Sequence, residues 1–430
     1  MLTGKHKRPK ESLSLVRVSS LYKGENKMVA VGIDVSKGKS MLAAISALHE
    51  ITKPKEFLHT SAGLRELTQE ILAFDKDVKV TMEATGHYHE PVAHALSAAG
   101  IFISVVNPLL IYAYGDNSVR RVKTDKKDAL KIARYCLENW SKLEPYTPQE
   151  NIREQLKLFS RQYNTCLKTV HALENNLISL LDKTFPSAAN FFNSRKKKNG
   201  HQKWVDFVVT FWHLDAVTSL GEKEFNNKYR TWCAENSYKY TREKVVEIYA
   251  KSIQGFATLK YCTETELLIT SAARQVLAVS ATLASIRAQL VRLVILLPEY
   301  ETVINMYGVG DLTCAHLLAE IGDVKRFRSG RALVAFAGID PLPVQSGTYE
   351  KKSTKISKRG SATLRKVLFQ VVLTHLRLSP KDEAVYHFID RKRAEGKPYF
   401  VYMTAAANKF LRIYYAKVSE RMKMMQEKRF

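Results

Sequence analysis

Two aspartates three residues apart, Asp125 and Asp128, stand at what reads as the start of a helix running on to Arg134, within Arg120-Arg-Val-Lys-Thr-Asp-Lys-Lys-Asp128. Side chains at i and i+3 share a helix face, so both carboxylates can point at one spot. The same spacing also suits capping, with Asp125 as N-cap and Asp128 at N3. Two further acids end strand-like runs: Asp34 in Met28-Val-Ala-Val-Gly-Ile-Asp-Val-Ser36 and Glu83 in Val78-Lys-Val-Thr-Met-Glu83. Each alone reads equally well as a cap or turn former. Together they can hold two divalent ions about 4 Å apart, which clamp the attacking and leaving oxygens of a phosphodiester. Four converging carboxylates repel unless cations or protons accompany them. No soft-ligand cluster is present, and oxygen ligands suit a hard ion, so Mg²⁺ is the expected cofactor. Arg120, Arg121 and Lys123 read as phosphate guides beside the acids.

The elements that must position these acids follow in order. Met28–Ser36 reads as a strand, Met41–Ser46 as its hairpin partner and Glu56–His59 as a third strand. A helix over Gly63–Phe74, a strand over Val78–Glu83, a helix over Glu90–Ala99 and a strand over Phe102–Val106 complete a mixed sheet flanked by helices. Further on, apolar residues from Ile152 to Leu180 and from Ile269 to Leu297 alternate spacings of four and three, the mark of a coiled-coil seam. The two seams are expected to pair with each other or across a dimer, or to pack as ordinary bundle helices. Between them lies an insertion (187–262) with Arg195-Lys-Lys-Lys198 and many aromatics, either the core of a helical subdomain or a surface that stacks on single-stranded RNA.

In the last third, Tyr307-Gly-Val-Gly310 precedes a helix over Leu312–Ile321. Its flanks look like a helix-hairpin-helix, in which Gly308 and Gly310 expose backbone N–H groups to a phosphate; a plain interhelical turn is the alternative. A loop through Phe336–Pro341 and Val344–Gly347 then runs into Lys351, Lys352, Lys355, Lys358 and Arg359, placed to grip phosphates.

The whole chain carries 67 Lys and Arg against 42 Asp and Glu, a net charge of +25 over 430 residues. That excess points to a polyanionic partner. Five scattered cysteines without metal spacing suit free thiols in a reducing cytosol. No apolar run is expected to reach membrane-span length, Val291–Leu297 being the longest candidate. Residues 1–27 lack the apolar stretch of a secretory signal and read as a basic arm.

These motifs carry a resemblance. Gly32-Ile-Asp-Val-Ser36, Met82-Glu-Ala-Thr-Gly-His-Tyr88, Val106-Asn-Pro108 and Lys123-Thr-Asp-Lys-Lys-Asp-Ala129 resemble the RuvC-type DEDD domain of the bridge-RNA-guided insertion-sequence recombinases, the one-hundred-and-ten family. Tyr307–Gly310, Leu317–Asp323, Phe336–Pro341, Gln345-Ser-Gly347 and Ile356–Gly360 resemble its second domain. The resemblance implies an RNase H/RuvC-like α/β domain over 28–148, coiled-coil helices over 149–300 and a mainly helical transposase domain over 301–430. It implies that Asp34, Glu83, Asp125 and Asp128 bind Mg²⁺ and that Ser346 is the nucleophile; the residues alone do not separate Ser346 from Ser353 or Ser357. It further implies target and donor DNA, a structured bridge RNA, a dimer or tetramer with composite sites between subunits, and a cytoplasmic, nucleoid-associated setting without a membrane. Two other functions fit the residues: a metal-dependent junction nuclease using the acids alone, and a non-catalytic nucleic-acid-binding scaffold.

Overall fold

Alternating β-branched residues from Met28 onward make the central strand of a five-stranded sheet, as the spacing predicts. A computed structural model describes residues 28–46, 49–74, 77–114, 124–146, 151–193, 197–341, 345–346, 349–350 and 355–427. The basic arm at 1–27, the cations Arg120, Arg121, Lys123, Lys351 and Lys352, and the serine at 353 lie outside them. The chain divides into two compact units, 1–148 and 149–430.

In the first unit, β1 (Met28–Ser36), β2 (Lys39–Ile45) and β3 (Glu50–Leu58) form an antiparallel meander. Helix α1 (Ser61–Leu72) leads to β4 (Asp77–Glu83), and α2 (Glu90–Ala98) to β5 (Phe102–Val106). β4 runs parallel to β1 and β5 parallel to β4, giving the order β3-β2-β1-β4-β5. This is the RNase H/RuvC-like mixed sheet that was expected. Helices α3 (Pro108–Tyr114) and α4 (Asp125–Glu138) follow. The pleat sorts the side chains: Val29, Val31, Ile33, Val80 and Met82 pack with Leu67, Ile71, Val92 and Leu96 of α1 and α2. Ala30 faces the other way, onto Ala133 and Cys136 of α4.

In the second unit the two heptad stretches become α5 (Asn151–Leu181) and, after the insertion helices α6 (Lys203–Thr210), α7 (Asp215–Thr218), α8 (Gly221–Glu235) and α9 (Arg242–Gln254), α10 (Thr263–Ile295). α5 and α10 pack along one another within one chain, so the seams fill each other. One end of the pair, with Leu177, Leu181, Ile269 and Val276, joins the core of the insertion. That core takes the aromatics: Phe207, Phe211, Phe225 and Tyr229 are fully buried, and the Phe207 and Phe211 rings stack 4.9 Å apart. Core packing, not a base-stacking platform, accounts for these four.

The other end of the pair, with Leu156, Cys166, Ile286, Leu290 and Val294, joins a second core. It is shared with α11 (Tyr300–Ile304), α12 (Asp311–Ile321), α13 (Gly330–Ala337), α14 (Ala362–Leu378), α15 (Ala384–Ala394) and α16 (Tyr399–Glu427). β6 (Gln345–Ser346) and β7 (Tyr349–Glu350) form a small hairpin between α13 and α14. The expectation about membrane-length runs is corrected at α10, which by length and composition could cross a membrane, with an 18-residue window of mean hydropathy 1.5. Ile269, Ala273, Val276, Ile286, Leu290 and Val294 of this helix are buried in the two cores, while Leu267, Leu268 and Ile295 are exposed.

Two buried polar pairs tie α5 to the C-terminal helices. Arg153 grips Glu299 with two hydrogen bonds, one of them 3.0 Å, and both residues are almost wholly buried. Removing one partner strands a charge, so Glu299→Gln or Arg153→Met should lower stability by about 3–5 kcal/mol, read as a lower urea midpoint with an unchanged slope. Ser160 Oγ and His316 Nδ1 are 2.7 Å apart. Burial, with the Lys366 charge adding to it, pulls His316 down to about 4. A histidine depressed on folding stabilises above its unfolded value near 6.5 and loses that contribution as pH falls toward 4. The loss should reach roughly 3 kcal/mol by pH 4, and His316→Gln should flatten that part of the stability–pH curve.

Candidate active site

The last paired residues of β1 and β4 are Ile33 and Met82, so one step further brings Asp34 level with Glu83. Parallel neighbours lie about 4.8 Å apart, and the pleat turns both acids to the face that α4 covers. On β1 that face is marked by Ala30. On β4 it is marked by Lys79, whose carbonyl accepts from Cys136 Sγ at 3.3 Å and whose amine donates to Trp140 O at 2.9 Å. Both acids are half-buried. Ligands of open α/β sheets bind outside the carboxyl ends of parallel strands, which is where these two stand.

Gly32 sets how closely α4 approaches. A Cβ there would lie 2.2 Å from Ala129 O and 2.2 Å from Ala133 N, so the helix backbone rests directly on β1. Ala129 also packs with Met41, the cross-strand partner of Asp34. The helix therefore runs antiparallel to β1, with Cys136 toward Ala30 and its first turn toward Asp34. Adding a methyl must push the backbones apart; Gly32→Ala should cost about 1–3 kcal/mol and displace the helix start from the strand ends. Activity falling further than melting temperature would show that effect.

The capping reading is settled by Thr124. Its Oγ1 accepts from Lys127 N–H at 3.3 Å, and it is the N-cap of α4. Asp125 is therefore the first helical residue and Asp128 the fourth, whose N–H bonds to Thr124 O at 3.0 Å. Neither is needed as the cap. Asp125 is exposed and Asp128 half-buried. The signal was in the sequence, because threonine before a helical run is a preferred N-cap.

Sequence reading passed over Lys39 and Glu56. Lys39 Nζ bonds Glu56 at 2.8 Å. That bond, reinforced by the charges of Glu56 and then Asp125, holds its ammonium above the ordinary range. A cation thus borders the acids on the β2 side. Among the described residues, no three acids, histidines or cysteines close on a single metal-holding point. The four acids share a face and an end of the sheet without meeting at one spot, and mutual repulsion of gathered carboxylates opposes closer approach. The donor set, oxygen throughout, fits a hard divalent ion.

In the second unit, Ser346 pairs in register with Tyr349. The segment bearing it springs from a tightly joined base. Pro341 bridges Ile356, Ser357 Oγ donates to Asp340 at 2.6 Å, and Arg365 Nη1 donates to Ala337 O and Gly360 O, each at 3.0 Å. Gly360 is required there, since a Cβ would lie 2.0 Å from Phe336 O. Lys355, Lys358 and Arg359 are exposed at this base. Changing all three to glutamine should weaken DNA binding and make log K against log salt shallower by roughly 0.9 for each phosphate no longer neutralised. The Gly308 turn has a packing explanation: its φ is +80°, and a Cβ would lie 2.9 Å from the His375 ring. Gly310 precedes α12 with no side-chain cap, and Asp311 opens that helix, a charge that disfavours phosphate there.

Sheet order defines the class of the first unit, an RNase H/RuvC-like α/β domain. Residues 31–186 match the DEDD transposase model of the IS110 elements, and residues 300–387 match the model described as "Transposase IS116/IS110/IS902 family". Both parts stand in one chain, which belongs to the IS110 family of transposases and is an enzyme of DNA recombination. A "Pilin gene-inverting protein" of Moraxella bovis is 26% identical over 91% of this chain and 95% of its own length. The "Insertion element IS110 uncharacterized 43.6 kDa protein" of Streptomyces coelicolor is 21% identical over 88% of this chain and 90% of its own. Among solved structures, "T. thermophilus RuvC in complex with Holliday junction substrate" aligns over 28% of this chain and 99% of its own, with 14% identity and a TM-score of 0.22.

Proposed function

We propose that the chain cuts and rejoins DNA strands through a covalent phosphoserine, with Ser346 as the nucleophile and Mg²⁺ held by Asp34, Glu83, Asp125 and Asp128. The observation that carries this reading is the seating of α4 on Gly32, which turns the first helical turn toward the strand ends bearing Asp34 and Glu83. Mg²⁺ bound there would supply Lewis-acid stabilisation of charge on the phosphate oxygens. The chain's own groups do the rest. Ser346 Oγ attacks phosphorus and loses its proton, the bond to the leaving sugar oxygen breaks, and that oxygen takes up a proton. A second sugar hydroxyl then attacks phosphorus and loses its proton, the bond to Ser346 Oγ breaks, and the serine oxygen takes a proton back. One phosphodiester is exchanged for another, so no nucleotide hydrolysis is needed.

A structured bridge RNA is the proposed source of sequence choice, acting on a dimer or tetramer of the chain. The net charge of +25 suits a second polyanion besides DNA. Strand transfer between two plasmids in Mg²⁺ tests the catalytic reading: joined products and protein bound to a DNA end through serine are expected. Free nicked ends without adduct would favour the junction nuclease, and no cleavage at all the binding scaffold. Sequencing RNA that copurifies with the chain tests guidance. One abundant structured species is expected, and its absence from an active preparation would overturn that part.

A further inference from the structure

The first turn of α16, just past the bend that joins it to α15, carries three consecutive large side chains in solvent. Tyr399 is 43% exposed, Phe400 72% and Val401 48%. α16 does not need them for its core, which it reaches through Met403, Ala406, Ala407 and Phe410. A run of three exposed apolar residues is a defect of design unless something covers it. The rings are arranged edge to face, Tyr399 lying 5.1 Å from Phe400 and 5.4 Å from Tyr402. Gly396 turns the chain at φ +72° with nothing within 4 Å of a Cβ placed there, so the tip stands clear.

Charge says what covers it. Residues 391–401 hold four cations, Arg391, Lys392, Arg393 and Lys397, and one acid, Glu395. Lys392 bonds Glu395 at 2.6 Å, and that bond, reinforced by the Lys392, Arg391 and Lys397 charges, holds the carboxyl below its ordinary range. Cations in the last turn of α15 also suit its dipole, which explains three of them but not the exposed rings beside them. The C-terminal family match ends at residue 387, short of this tip.

We propose that the α15–α16 tip is a stacking wedge for unpaired DNA bases, with Phe400 and Tyr399 taking the bases and Arg393 and Lys397 the flanking phosphates. Aromatic rings stack on any base, and nearby cations follow the backbone. Strand exchange necessarily exposes unpaired bases, so a recombinase has use for such a grip. This role does not depend on Ser346 or on the metal.

The test is equilibrium binding of the full chain to a DNA duplex with a central bubble and to its fully paired counterpart, with 2-aminopurine in the bubble reporting stacking. The wild-type chain should prefer the bubble and quench the probe. Phe400→Ala should lose about tenfold in bubble affinity and most of the quenching, with duplex affinity unchanged. Arg393→Gln with Lys397→Gln should weaken both and make the bubble salt slope shallower by roughly 0.7 for each phosphate no longer gripped. Equal binding by Phe400→Ala and wild type would overturn the proposal. So would a Phe400→Ala loss confined to single-stranded RNA, or a drop in oligomer mass by light scattering, which would make the face a protein interface.

Discussion

Ser346→Ala is expected to remove every covalent protein–DNA adduct and all joined product, while DNA binding persists. A serine hydroxyl is a weak nucleophile at neutral pH and reacts only when activated. Replacing it removes the atom that forms the bond, so no residual adduct through this position is possible. Trapping with a nicked suicide substrate, followed by denaturing electrophoresis, reads the result directly. Retained strand cleavage by Ser346→Ala would mean that the acids direct water at the phosphate, which is the junction nuclease. Ser357→Ala is the matching control. That hydroxyl donates to Asp340, so its loss should impair the loop base and slow the reaction without abolishing the adduct.

The second large effect is expected from Asp125→Asn together with Asp128→Asn. Each substitution keeps the side chain's size and removes its charge. If the two carboxylates help hold Mg²⁺, strand transfer should fall by about a thousandfold, since a metal's contribution to charge stabilisation is several kcal/mol and each 1.4 kcal/mol is tenfold in rate. Stability should change little, because Thr124 caps the helix. Loss of an acid from a first turn costs about 0.3–1 kcal/mol. Raising Mg²⁺ should recover part of the rate if affinity is what was lost. Full recombination by the double variant would sink the catalytic reading of these acids. The same loss with Mg²⁺-independent DNA binding intact would separate a metal role from a phosphate-guiding one.

The middle of the chain shows where pattern reading stops. Heptad spacing located two long helices to within a few residues, because a seam must repeat on one face wherever its partner lies. The partner itself could not be read: a hydrophobic stripe on α5 fits α10 of the same chain as well as that of another. Packing of Leu177, Leu181, Ile269 and Val276 in one core decided it. The insertion is similar. Aromatics among lysines fit a core or a stacking surface equally well by composition, and only the burial of Phe207, Phe211 and Tyr229 separated the two. The exposed rings at Tyr399 and Phe400 went unnoticed for the same reason, since their surroundings distinguish them and their residue types do not.

Around Arg120 to Asp128, the sequence by itself determined the acids, the helix they begin and the sheet they belong to. Side-chain period and strand propensity are local and leave a readable trace. Tertiary structure decided which jobs the acids were free to do. Thr124 took the capping role by a hydrogen bond the sequence permits but does not require. Gly32 let a helix backbone rest on a strand ninety-odd residues earlier in the chain, an approach no local pattern encodes. That approach brings the first turn of α4, with Asp125 and Asp128, to the end of the sheet that carries Asp34 and Glu83.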